Sequence, residues 1–330
     1  TSSVPIACLK NSMFSISSMP SLPQLKTLIS NHSPTIFFHP EELYFPGSIS
    51  WLFTKGVLLH AKKDERTMLV SSDGSNLPMG GTDDDEYWID FPSGNNKDEI
   101  KKGNLSTAQV YIHAKPMLGA TFTDIAVWIY YPFNGPATAK VELLDLKLGK
   151  IGEHISDWEH VTLRINNFTG DLDKVFFSQH SGGVWVDAID LEYNDNEAGN
   201  CVVYSAKSNH SAYPHPGLVL QGDRGVGLRN DTSRSNFFLN SRDNYQIVSA
   251  NYLGIELAPE EPPWLQYMRK WGPKVEYDSE EEIEKVIKKI PFFLRSKLRA
   301  LLHRLPNEVF GEEGPTGPKQ KSSWEGDETR

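Results

Sequence analysis

EHVTLRINNF, residues 159–168, decides the fold class. Glu159, Val161, Leu163 and Ile165 fall on one parity and His160, Thr162 and Arg164 on the other, the two-residue period of a strand with one buried face. Outward from it on both sides, similar β-prone runs recur: VYIHAKPML (110–118), IAVWIYYPF (125–133), KVFFSQH (174–180), VWVDAIDLEY (184–193), CVVYSA (201–206) and YQIVSANYLGIEL (245–257). Clusters of Gly, Pro, Asn and Asp separate them. Strands so spaced, with no long helical pattern between them, predict a mainly β fold, a two-sheet β-sandwich over residues 34–276.

Helix is expected at the two ends. SLPQLKTLISN (21–31) reads as one short helix in an N-terminal segment, 1–33. In 279–305, Ser279 and Glu282 have capping-box spacing, and Ile283, Val286, Ile287 and Ile290 follow on one stripe. Pro291 should break the segment, after which Leu294, Leu298, Leu301 and Leu302 oppose Arg295, Lys297, Arg299 and Arg304. These C-terminal amphipathic helices, within 277–310, either pack on the sandwich, the preferred reading, or lie on an acidic membrane surface. The polar, Gly- and Pro-rich tail, 311–330, is expected to lack regular structure.

With 38% hydrophobic and 23% charged residues in 330, the chain is too apolar to be disordered throughout. A net charge of -10 argues against a general nucleic-acid binder, which needs a strongly basic face. Cys8 and Cys201 are far apart and form no metal or disulfide pattern, so a reducing compartment follows. No apolar run of about eighteen residues and no secretory leader pattern is seen, so a place in the cytoplasm or peripheral to endomembranes is expected. Five sequons, at Asn31, Asn104, Asn167, Asn209 and Asn230, point toward secretion; in a chain rich in Asn and Ser, chance is the preferred reading.

GxSxG, HExxH and GxxxxGK are absent, which argues against nucleophile-elbow hydrolases, zincins and P-loop enzymes. GEHISDWEH (152–160) carries the strongest chemical signal. Asp157 and Glu159 are two apart, so on a strand both carboxylates leave the same face, with His154 in reach through the preceding loop. Adjacent acids raise a pKa unless a cation neutralises them, so a divalent cation is the natural partner. Oxygen ligands favour Mg, Ca or Mn, and direct His ligation moves the preference toward Zn. The alternative is a solvated strand end with an incidental histidine. Two further polar groups, FSQHSGG (177–183) with His180 and SNHSAYPHPG (208–217) with His210 and His215, supply candidate ligand-binding residues. Taken singly, each His reads better as a turn cap.

At these motifs the chain resembles a plant family described by similarity to the fungal vacuolar protein sorting-associated protein 62. PTIFFHPEELYFPGSISWLF (34–53), GSNLPMGG (74–81), PMLGATFTDIAVWIYYPFNGPATAK (116–140), FFSQHSGGVWVD (176–187) and EEGPTGPKQKSSWEGDE (312–328) carry the likeness. Members usually have a β-rich region before this point, which implies the C-terminal part of a longer protein, or a shortened member. A more distant resemblance is to the necrosis-inducing Nep-like proteins, whose β-sandwich holds a divalent cation used to bind sphingolipid headgroups. Their heptapeptide Gly-His-Arg-His-Asp-Trp-Glu aligns with His154, Asp157, Trp158 and Glu159, while Ser156 replaces the second His and Glu153 the leading Gly. An upstream ligand Asp falls at Asn134. The resemblance thus implies a metal set of Asn134, His154, Asp157 and Glu159, one negative charge poorer than the toxins'.

Two functions follow. One is a metal-bearing binding module for a polar lipid headgroup, a glycan or another small molecule, in peripheral contact with a membrane and serving trafficking or vacuolar sorting. The other is a metal-dependent enzyme of hydrolase or lyase type in which His180 or His210 moves protons. Binding is preferred, because no nucleophile or acid/base pair can be assigned.

Overall fold

The computed structural model describes residues 18–94, 96–179, 182–194, 200–223, 225–275, 278–303 and 312–326. Strands β6 (Phe122–Asn134) and β9 (His154–Asn166) are thirteen residues each and pair antiparallel, Phe122 opposite Asn166 and Asn134 opposite His154. They are the middle of a six-stranded sheet ordered β11 (Gly182–Asp187), β10 (Leu172–Gln179), β9, β6, β5 (Val110–Met117) and β17 (Tyr245–Ser249).

One face of this sheet buries Val127, Ile129, Val161 and Leu163 against Leu25 and Ile29 of helix α1 (Leu22–His32), Phe38 of β1 (Thr35–Phe38) and Val203 of β12 (Val202–Ser205). β1 runs parallel to β12, in a four-stranded sheet with β13 (Ala212–Tyr213) and β16 (Phe238–Asn240). The other face buries Trp128, Tyr130 and Trp158 against Trp264, Trp271, Leu52 and Phe53 of α2 (Ile49–Thr54), Leu59 of β2 (Leu58–Ala61) and Ile89 of β4 (Tyr87–Asp90). β2 is the middle strand of a small sheet between β4 and β3 (Arg66–Leu69).

The fold is mainly β, as expected, but the central sheet is covered on both faces, and the two-sheet layout becomes three layers. His160, Thr162 and Arg164, read as the partners of a single buried face, are themselves buried. They are tolerated there because they have partners. Arg164 grips Asp124 through two hydrogen bonds of 2.8 and 2.7 Å, its guanidinium 4.3 Å from the Trp185 ring centre, and His160 stacks on Trp128 at 4.5 Å. Of the five tryptophans from Trp51 to Trp185, only Trp128 and Trp158 are core; Trp51, Trp88 and Trp185 are half-buried.

α1 spans 22–32, close to the expected 21–31, and Ser21 N–H donates to Gln24 Oε1 at 2.9 Å over its first turn. Two six-residue helices, α2 and α3 (Asn96–Lys101), were not foreseen, because neither is long enough to show a period. α4 (Ser279–Lys288) and α5 (Phe292–Leu302) flank Pro291 as expected. The N-cap is Asp278 rather than Ser279: its carboxylate accepts from the Glu281 N–H at 3.0 Å. Ile283, Val286, Ile287, Leu294, Leu298 and Leu302 pack with Ala139, Val141 and Leu228. Those three belong to an outer sheet of β14 (Gly217–Asp223), β15 (Val226–Thr232), β7 (Thr138–Val141) and β8 (Leu144–Lys147). The apolar stripe is therefore occupied by protein, not left for lipid. Arg304 lies outside the described residues.

The C-terminal tail corrects the expectation of irregularity. Within 312–326, β19 (Glu312–Glu313) pairs with β18 (Lys274–Val275), and two short 3-10 turns follow. Trp324 stacks on His113 at 3.7 Å, and Lys115 donates to the Ser323 carbonyl at 2.5 Å. One aromatic anchor outweighs a polar composition. Among the described residues no helix is long and apolar enough to cross a membrane. Cys201 is buried with a free thiol, and Cys8 lies outside the described residues.

Candidate functional site

The strand period puts Asp157 and Glu159 on the face of β9 that looks toward the β1 sheet, where Tyr131 also lies, directly opposite Asp157. From that sheet the loop after β12 delivers His210. Its Nδ1 lies 3.0 Å from Asp157 Oδ2 and its Nε2 3.1 Å from the Tyr44 carbonyl, with the ring stacked on Tyr131 at 3.8 Å and 5°. Both ring nitrogens are thus engaged within the protein. Asp157 and His210 are both buried.

The loop is held from several sides. Glu42 accepts from the N–H groups of Leu43 and Tyr44 at 2.8 and 2.9 Å through one oxygen and from Ser208 N–H at 2.7 Å through the other. Gly135 N–H donates to the Ser208 carbonyl at 2.8 Å. A Cβ on Gly135 would stand 2.5 Å from the Tyr44 ring, so the approach requires glycine. Ser156, Ser208 and His210 have φ of +61°, +71° and +60°, three of the eight such non-glycine residues among those described. Left-handed backbone costs about 1–3 kcal/mol per residue and concentrates where a ligand site over-determines the chain.

The two acids differ in environment. Burial is the largest influence on Asp157 and pushes it upward, but the hydrogen bond with His210 and the charges of His154, His210 and Lys321 together outweigh it and hold the carboxyl below its usual range. Among the described residues Glu159 has no cationic hydrogen-bond partner. Burial first, then the charge on Asp157, raise it to about 8, although the Ser178 hydroxyl donates to its Oε2 at 2.6 Å. Near neutral pH the pair therefore presents one ionised carboxylate and one carboxylic acid, an acceptor and a donor. Glu159 is only half-buried and opens the site to solvent.

His154 Nδ1 donates to the Ser156 carbonyl at 2.6 Å, and burial lowers the imidazole's pKa. The neutral ring keeps its Nε2 lone pair. Asn134, opposite His154 in register, turns its amide nitrogen to the Gly152 carbonyl at 2.6 Å, leaving its carbonyl oxygen as an acceptor. Lys321, from the C-terminal segment, adds a positive charge felt by His154, Asp157 and Glu159. Among the described residues no three His, Cys, Asp or Glu side chains are arranged to hold a metal ion.

Of the residues singled out in sequence, the structure gathers Asn134, His154, Asp157, Glu159 and His210 at one end of the central strand pair. His215 does not join them: it is exposed in the loop after β13, with its carbonyl accepting from Thr232, because the turn at Pro214 and Pro216 carries it past the site. His180 lies outside the described residues. Sequence reasoning missed Glu42, Tyr44, Tyr131 and Ser178. HPEELYF (39–45) was legible as a motif, but nothing local indicates that its carboxylate reaches a loop 166 residues away.

Several solved structures are partly similar to this chain. Necrosis and ethylene inducing protein 2, from the agent of cocoa's witches' broom disease, is 18% identical, with 65% of this chain and 74% of that one covered at a TM-score of 0.31. NLPPya in complex with glucosamine is 14% identical, covering 72% and 90%, at 0.33. The non-toxic HaNLP3 protein is 12% identical, covering 70% and 78%, at 0.33. No curated protein matches the sequence. The family model described as vacuolar protein sorting-associated protein 62 matches residues 1–328, and the chain belongs to that family.

Proposed function

We propose that this protein is a binding module for a small polar ligand rich in hydroxyl or amine groups, the chemistry of a glycan or a glycosylated lipid headgroup. The observation that carries the reading is the pairing of Asp157 and Glu159 on one strand face, one held by His210 and the other half-buried. Such a pair accepts from an ammonium or hydroxyl at Asp157 and donates to or accepts from a neighbouring hydroxyl at Glu159. His154 Nε2 and the Asn134 carbonyl add acceptors. The family's description supports a setting in vacuolar sorting or membrane trafficking.

A divalent cation is proposed at the same residues. The neutral His154, with Nδ1–H fixed on a carbonyl, is the tautomer a ligating histidine adopts. Glu159, Asp157 and the Asn134 oxygen would complete the set by drawing in toward the ion, since as they stand no three of the acidic and histidine side chains among the described residues are arranged to hold one, and the cation would supply a positive centre for ligand oxygens. The enzyme reading has less support. His210 has both ring nitrogens engaged, so it positions Asp157 and is poorly placed to shuttle protons.

Thermal shift of the full chain tests both proposals. An amino sugar or inositol should raise the melting temperature of the wild type and leave Glu159→Ala unmoved. Mg, Ca, Mn or Zn at a hundredfold excess over Kd should stabilise by about 2.7 kcal/mol, reversed by chelator. If every cation leaves the melt unchanged, the cation proposal falls. If the sugars do so as well, with and without cation, the binding reading falls too.

A further inference from the structure

We propose that the tip of the α4–α5 hairpin is an anionic-membrane contact, separate from the Asp157–Glu159 site. Pro291 ends one helix and starts the next, and the two residues after it, Phe292 and Phe293, remain 81% and 62% exposed. Their rings meet edge to face at 5.8 Å and 90°, so each shields the other only in part. Single exposed apolar side chains are ordinary; two adjacent phenylalanines at a convex apex, when the rest of the hairpin buries its apolar residues, are not.

Charge selects the partner. KKIPFFLR, residues 288–295, contains three cations and no acid, in a chain whose net charge is -10. Lys288 and Lys289 are exposed and form no ion pair among the described residues. Three of the four acids of α4 have other partners, Glu284 with Arg299 at 2.6 Å, and Glu281 and Glu282 with Lys285 at 3.1 and 3.5 Å. Arg295 donates to the Ile290 carbonyl at 3.1 Å, which fixes the turn that presents the rings. An aromatic wedge flanked by exposed lysines matches the boundary of an anionic bilayer: rings at the acyl edge, ammonium groups among phosphates. A protein partner is less well matched, since a stable interface needs about 800 Å² per side and a convex two-ring apex offers no groove.

The apolar stripe is already packed on the outer sheet, so the contact uses the tip and not the helix face. Co-sedimentation of the full chain with phosphatidylcholine vesicles, with and without phosphatidylserine, tests it. The wild type should sediment with the phosphatidylserine vesicles, less so as salt rises. Lys288→Gln with Lys289→Gln should weaken binding about 25-fold, fivefold for each lysine. Phe292→Ser with Phe293→Ser should abolish retention while the thermal melt stays that of wild type; should that pair unfold, the lysine variant decides alone. Equal sedimentation of wild type and lysine variant, or none with either vesicle, overturns the proposal. Capture of an acidic peptide in place of vesicles overturns it as well. Glu159→Ala should leave sedimentation unchanged; if it abolishes binding while the tip variants retain it, the lipid is held at the carboxylate site and the tip proposal is wrong.

Discussion

Glu159 carries the sharpest prediction at the scale of one residue. Its folded-state pKa lies near 8, above the ordinary carboxylate value of 4.5. Between those values the folded chain holds a proton that the unfolded chain has released, so stability falls as pH rises through that window. In chelator, Glu159→Gln should melt like the wild type near pH 5 and above it at about pH 9, by an amount on the order of a few kcal/mol. Equal pH profiles for the two proteins would contradict the environment described. Asp157→Asn should act differently, weakening the hydrogen bond to the buried His210 ring at a cost of about 1–3 kcal/mol, measurable by urea denaturation. That Asp157 and Glu159 share a face could be read from their spacing alone. That His210 comes to Asp157 could not, because the loop carrying it belongs to a strand whose parallel pairing with β1 joins residues far apart in sequence.

At the scale of elements, period and punctuation were informative where segments were long. The alternation in 159–165 foretold β9, and the heptad-like stripe with Pro291 foretold α4 and α5. What stayed hidden was the burial of the opposite strand face. Arg164 looks solvent-bound until Asp124, on the neighbouring strand, supplies its partner. Breaking that pair with Asp124→Ala should cost about 3–5 kcal/mol in chemical denaturation, whereas an exposed ion pair would cost about 1 or less. Leu298, fully buried between α5 and the outer sheet, should cost about 2–5 kcal/mol when replaced by Ala. A loss below about 1 kcal/mol would mean that the helices are loosely held. Trp324→Ala should likewise cost about 3–5 kcal/mol, since the tail is packed through that ring.

At the scale of the molecule, the two proposed sites lie on different parts of the fold. The central sheet, covered on both faces, is a rigid support on which the acid pair, His154 and Asn134 meet the loop bearing His210. The outer sheet carries a helical hairpin whose tip bears the basic and aromatic residues. The left-handed backbone at Ser156, Ser208 and His210 belongs to the first of these and is in keeping with the proposed site. The central claim is that the carboxylate pair binds a polar glycan or headgroup. It is tested most directly by probing an array of glycans and glycolipid headgroups with the labelled full chain, wild type beside Glu159→Ala. The account predicts that the wild type retains a set of amine- or hydroxyl-rich glycans and that the variant binds them at least about tenfold more weakly, the loss of one hydrogen-bonding carboxyl. Retention of the same glycans by both proteins at equal strength, or of none by either, would contradict it.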